Sequence, residues 1–192
     1  MEASARKTVP EKEYGGESAP TVNLFQLDFI LRLLLFATTL TALLVLVTGK
    51  QTETVILPIP PFSVTRSAKF NHSPALIYLV TALAVTCFYS ILTLVTSGFA
   101  TSKKSPSTKL LFHLVLLDAL MAGILAAATG AGGAVAYIGV KGNKYTNWNK
   151  ICKVFDKFCR HTGSAVGVSL IASILLVALV LLSTYSLYRR SR

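Results

Sequence analysis

The chain has 192 residues, of which 53% are hydrophobic and only 14% charged, with a formal net charge of +11. A soluble domain of this length carries about 25% charged residues, and a mean hydropathy of +0.60 excludes an ordinary water-soluble globule. The apolar residues gather in long blocks instead of alternating with polar ones, which describes a small integral membrane protein.

The first stretch, "MEASARKTVPEKEYGGESAP", is polar and mixed in charge, and reads as a disordered tail over residues 1–22. It has no signal-peptide pattern and no lipidation motif, so the first span must act as its own insertion signal. Four apolar segments follow, at about residues 23–48, 75–100, 109–140 and 163–188. Each is long enough to cross a hydrocarbon layer of ~30 Å as a helix. Period-two alternation is absent, so a helical bundle is expected and a barrel is not. Residues 189–192 form a short basic tail. The expected architecture is an all-α, integral-membrane four-helix bundle with both termini on one side.

Counting Lys and Arg does not orient this bundle. Nine lie on the tail side and nine on the other, with Arg32 inside a span. The basic groups nearest the span ends, "SKKSPSTK" and "YRRSR", are on the tail side. The loops opposite carry the sequon "NHS" at Asn71 and the pair Cys152 and Cys159, features of an extracytoplasmic face. The tails are therefore expected in the cytosol.

The third segment holds one carboxylate, Asp118, in "LLFHLVLLDALMAGIL". An isolated charge in hydrocarbon costs several kcal/mol, of order 2.5–3.5 by insertion scales. The other buried charge is Arg32. Asn23 to Arg32 and Lys109 to Asp118 are both nine residues, about 13 Å along a helix. Spans one and three run in the same direction, so the two groups sit at comparable depth, and an intramembrane pair of Arg32 with Asp118 is expected. A second arrangement also fits: Asp28 lies one turn before Arg32 and could hold the guanidinium locally. His113 is about 140° around the helix from Asp118 and falls on a different face.

Small residues recur every four positions, Ala119, Gly123 and Ala127 in span three and Gly163 and Gly167 in span four. This spacing lets helix backbones approach closely in lipid. Gly123, Ala127, Gly163 and Gly167 are accordingly read as helix-packing positions, within one bundle or between subunits. Cys152 and Cys159 lie in "NKYTNWNKICKVFDKFCRHTGS". In one unbroken helix their Cα atoms would be about 10.5 Å apart, beyond disulfide reach, so a bonded pair requires a turn between them. Two Cys and one His make an incomplete zinc set, and no metal or cofactor is expected. Cys87 packs as a small hydrophobe. The loop before span two, with Pro58, Pro60 and Pro61, should be extended near its prolines. Asn71 is a possible N-glycosylation site.

These residues together resemble the plant CASP-like proteins of the Casparian strip membrane protein family, a MARVEL-related group. The carriers are Arg32, Asp118, "SAKFNHSPALIYLV" and "WNKICKVFDKFCRH". The resemblance covers nearly the whole chain after the N-terminal tail. It implies cytosolic termini, residence in the plasma membrane, and homodimers or hetero-oligomers with related four-span proteins. In the founding members it implies a non-enzymatic scaffold that restricts lateral diffusion and gathers cell-wall-modifying enzymes. Here the first outer loop reads "ILPIPPFSVTRSAKF" in place of the stretch associated with strip formation, which places the chain in the broader group. The expected partners are therefore related four-span proteins, membrane lipid and wall-modifying enzymes, with no nucleic acid. The alternative reading is a small channel or transporter accessory subunit, which would carry more polar residues along several spans or paired broken helices.

Overall fold

A computed structural model describes residues 24–56, 63–102, 108–145 and 148–191. Its elements are α1 (Leu24–Thr48), a hairpin of β1 (Gln51–Ile56) and β2 (Ser63–Ala68), α2 (Pro74–Ser102), α3 (Thr108–Lys141) and α4 (Asp156–Ser191). Among the described residues four helices are long and apolar enough to cross a membrane. The expected tail over residues 1–22, and Pro58, Pro60 and Pro61, lie outside the described residues.

The helices form a ring. α1 packs on α2 and α4, and α3 packs on α2 and α4, so α1 and α3 face each other across the diagonal. Along the inward stripe of α4 the buried residues are Thr162, Ala165, Ser169, Ala172, Leu176, Leu179 and Ser183, with Ser173 buried beside Ala172. Those in α1 are Arg32, Leu35, Thr39, Ala42 and Leu46. Both series step by three and four, the 3.5-residue repeat of helices that pack in a left-handed bundle. The inward positions include many small or hydroxyl-bearing side chains. The outward ones include Phe29, Leu33, Phe88, Leu116, Leu120, Ile174 and Leu181, all largely exposed. A surface of this kind is stable only against lipid.

Buried hydroxyls inside the bundle spend their protons on the turn behind them. Thr39 donates to the Leu35 carbonyl at 2.8 Å and Thr86 to that of Ala82 at 2.8 Å. Between α3 and α4, Thr129 donates to Ser169 Oγ at 3.1 Å.

The structure departs from the sequence reading at the hairpin end. The segments on either side of residues 57–62 form an antiparallel pair that the sequence reading did not anticipate, Gln51 opposite Ala68 through Ile56 opposite Ser63. Thr52, Thr54, Val55, Val64 and Thr65 supply the β-branched content that favours strands, a local preference that a search for apolar blocks passes over. Gln51 anchors the hairpin on the bundle, its Oε1 accepting from the Phe158 amide at 3.0 Å. Helix α4 also starts at Asp156 rather than near residue 163. The segment "DKFCRHTG" is polar, so hydropathy misses it, yet Asp156 in the first turn favours helix initiation there. Helix α2 opens on Pro74, which suits a first helical position. Helix α3 continues through Gly130, Gly132 and Gly133 and ends at Gly142, whose φ of 70° is the left-handed conformation of a helix stop. Its amide bonds to the Ile138 carbonyl at 2.7 Å.

Candidate functional site

The interior of the bundle converges on one polar cluster. Arg32 stands eight residues into α1, about 12 Å from its start, and Asp118 ten residues into α3, about 15 Å from its start. An Arg side chain bridges that difference by reaching along its helix. Arg32 Nη2 donates to Asp118 Oδ2 at 3.1 Å and Nη1 to Oδ1 at 3.4 Å. This two-pronged geometry is the one a planar guanidinium makes with a carboxylate. The same guanidinium uses Nε to donate to Asp28 Oδ2 at 2.9 Å. The two arrangements that the sequence left open therefore coexist: one cation serves a carboxylate on its own helix and another across the diagonal.

A third partner comes from α2. The Tyr89 hydroxyl donates to Asp118 Oδ1 at 2.6 Å. Arg32, Asp118 and Tyr89 are 2%, 0% and 8% exposed, so the cluster is shielded from its surroundings. Three of the four helices thus meet at one carboxylate, and its contacts bridge helices whose backbones lie on opposite corners. The sequence reading missed Tyr89. The available signal was a tyrosine deep within an apolar span, "CFYSILTL", because a buried phenol needs a hydrogen-bond partner. His113 is exposed on α3, edge-on to Phe112 with ring centroids 6.2 Å apart.

At the hairpin end Cys152 and Cys159 are joined as a disulfide with Cα atoms 5.6 Å apart. The short 3-10 turn Ile151–Lys153 precedes the start of α4 and supplies the bend that the spacing required. The disulfide rests on α3: a Cβ built on Gly139 would lie 3.3 Å from Cys152 Sγ. Close approach also occurs where α1 ends, since a Cβ on Gly49 would lie 2.8 Å from His161 Cβ of α4. Asn71 is exposed in the 3-10 turn Phe70–His72, immediately before α2. Cys87 is buried and unbonded.

The small-residue positions fall elsewhere. Gly123, Ala127, Gly163 and Gly167 are exposed on the outside of the bundle, and nothing lies within 4 Å of a Cβ built on any of the three glycines. Packing inside this bundle is therefore not their role. The buried small residues within it include Ala122, Ala128 and Ala165, one or two positions away, and Ala172 further along α4. A four-residue repeat on a helix that is apolar all round does not say which of its stripes faces inward.

The family model of the Casparian strip membrane protein domain matches residues 22–175, a span that contains the charge cluster and the disulfide. The chain belongs to that family. A CASP-like protein 1D1 of Musa acuminata is 57% identical over 192 residues, covering 98% of this chain and 99% of the relative. One from Oryza sativa subsp. japonica is 55% identical over 168 residues, covering 86% and 81%. One from Arabidopsis thaliana is 48% identical over 187 residues, covering 97% and 94%. No solved structure matches the chain. The likeness read from "WNKICKVFDKFCRH" and its companions is therefore correct, and the chain is a multi-pass membrane protein of the CASP-like kind.

Proposed function

We propose that this protein is a non-enzymatic scaffold of the plasma membrane. It assembles with copies of itself or with related four-span proteins into membrane domains that organise cell-wall-modifying partners. In this reading both termini face the cytosol, and the β1–β2 hairpin, Asn71 and the disulfide face the wall. The bundle supplies a rigid unit: the Arg32, Asp118, Asp28 and Tyr89 groups satisfy one another and hold three helices at one depth.

The observation that carries the reading is the outward placement of Gly123, Ala127, Gly163 and Gly167, with open space beside each glycine. Small residues on a lipid-facing surface let a neighbouring helix approach its backbone, and dispersion and weak hydrogen bonds drive association there. Membership of the CASP-like family supports the same reading.

Fluorescence recovery after photobleaching of the tagged protein in plant cells is the test. Slowly recovering patches are expected, and Gly123→Leu with Gly167→Leu should restore mobility, since neither side chain meets the bundle's own interior. Free diffusion of the wild-type protein throughout the membrane would refute the scaffold.

A further inference from the structure

The segment that joins α3 to α4 is held in one shape. Gly142 ends α3, and Asn143 and Trp148 then exchange both main-chain hydrogen bonds, at 2.9 and 3.0 Å, to close a tight turn. Inside it the Tyr145 amide donates to Asn143 Oδ1 at 3.0 Å. The disulfide of Cys152 with Cys159 ties the other end of the segment to the start of α4 and sits against Gly139 of α3. Side chains on a loop fixed in this way meet a ligand without first having to be ordered.

What this loop displays is charge and bare rings. Lys141, Lys144, Lys150, Lys153, Lys157 and Arg160 are all exposed, with Asp156 the single acid between residues 141 and 160. Both salt bridges among the described residues belong to Arg32, so none of these cations is neutralised by a carboxylate there. A patch of one sign attracts polyanions. Tyr145 and Trp148 stand on the same turn, 101% and 59% exposed. Each offers an apolar face together with a polar edge.

Two arguments separate the candidate polyanions. Helix α4 begins with a mostly polar stretch, Asp156 to Thr162, about 9 Å long, before its apolar run opens at Gly163. A head-group layer is about 5–8 Å deep, so the loop beyond that stretch stands at the outer edge of the lipid. In the orientation proposed above, on which this inference rests, this end faces the wall, whereas anionic lipid is concentrated in the cytoplasmic leaflet. The anion therefore belongs to the wall space. A polyuronate carries a carboxylate on each sugar for the lysines and an apolar pyranose face for each ring; an acidic peptide offers only the first. We propose that the α3–α4 loop binds an acidic polysaccharide of the polyuronate class. Lys144, Lys150 and Lys153 take its carboxylates, and Tyr145 and Trp148 stack on its sugar rings.

Binding of the full-length protein, held in nanodiscs of neutral phosphatidylcholine, to immobilised polygalacturonate is read by biolayer interferometry. Wild type should bind about tenfold or more tightly than to the fully methyl-esterified polymer, which keeps the sugar rings and loses the charge, and added salt should weaken the interaction. Lys144→Glu with Lys150→Glu should lower affinity by about tenfold or more. Tyr145→Ala with Trp148→Ala should lower it by about fivefold. All four side chains are exposed, so melting temperatures should stay near wild type. The polymer comparison needs no variant and decides if either double variant does not fold. Equal binding of the esterified polymer, of polyglutamate of matched charge or of phosphatidylserine vesicles overturns the proposal, as does unchanged binding by either folded variant. None of these outcomes bears on self-assembly. Separately, an impermeant amine reagent on intact protoplasts should label Lys144 and Lys150; labelling only after permeabilisation would place the loop in the cytosol and overturn the orientation, and this proposal with it.

Discussion

Replacing Asp118 by Leu removes three contacts at once: the two guanidinium bonds at 3.1 and 3.4 Å and the Tyr89 bond at 2.6 Å. It leaves Arg32, 2% exposed, with Asp28 as its remaining carboxylate. Removing one member of a buried ion pair costs about 3–5 kcal/mol, because the partner stays buried without compensation. Asp28 reduces that penalty, and its side chain is 22% exposed, so the lower end, about 3 kcal/mol, is expected. Asp118→Asn keeps the shape and an acceptor for Tyr89, and should cost about 1–2 kcal/mol. The informative variant is Arg32→Leu with Asp118→Leu. It removes both buried ionic groups, and should be more stable than Asp118→Leu alone by about 1–3 kcal/mol, the coupling of groups in direct contact. Reversible unfolding in mixed micelles, or steric trapping in bicelles, measures all three. The predicted order is wild type, Asp118→Asn, the double variant, then Asp118→Leu. A double variant no more stable than Asp118→Leu would refute the claim that the two helices are tied through this pair.

Tyr89→Phe should destabilise the bundle by about 1–2 kcal/mol, since Asp118 Oδ1 then keeps only the longer guanidinium bond; the same unfolding assay reads it, and no change would mean the phenol is incidental. Reducing the disulfide, or Cys152→Ser with Cys159→Ser, should cost about 2–3 kcal/mol for a loop this short, seen as a lower melting temperature under reducing conditions in the wild type alone. Gly49→Ala should cost about 1–3 kcal/mol through overpacking against His161, whereas Gly167→Ala, which meets nothing, should stay within about 0.5 kcal/mol of wild type or gain slightly. Thermal unfolding of the two glycine variants side by side checks that contrast.

The depth argument for Arg32 and Asp118 needed only helix geometry and the positions of two charges, and the cysteine argument needed only a distance that a straight helix cannot span. The β1–β2 hairpin lay in plain view as a run of β-branched residues, but a reading tuned to apolar blocks does not weigh it. The glycine stripes stayed open between an inner face and a contact between subunits because periodicity alone is the same on either side of a helix; the structure turns them outward. Tyr89 required recognising that a phenol within an apolar span has a proton to place.

Composition and block length alone determined that this chain crosses a membrane four times as helices, because backbone groups in hydrocarbon must bond within their own segment and each block is long enough to do so. Only the tertiary structure decided which stripe of each helix turns inward, and that Asp28 and Tyr89 share the charge cluster. Lipid is as apolar as leucine, so hydrophobicity, which sorts inside from outside in water, carries little of that information here. The packing of alanines, hydroxyls and one carboxylate against their neighbours carries it instead.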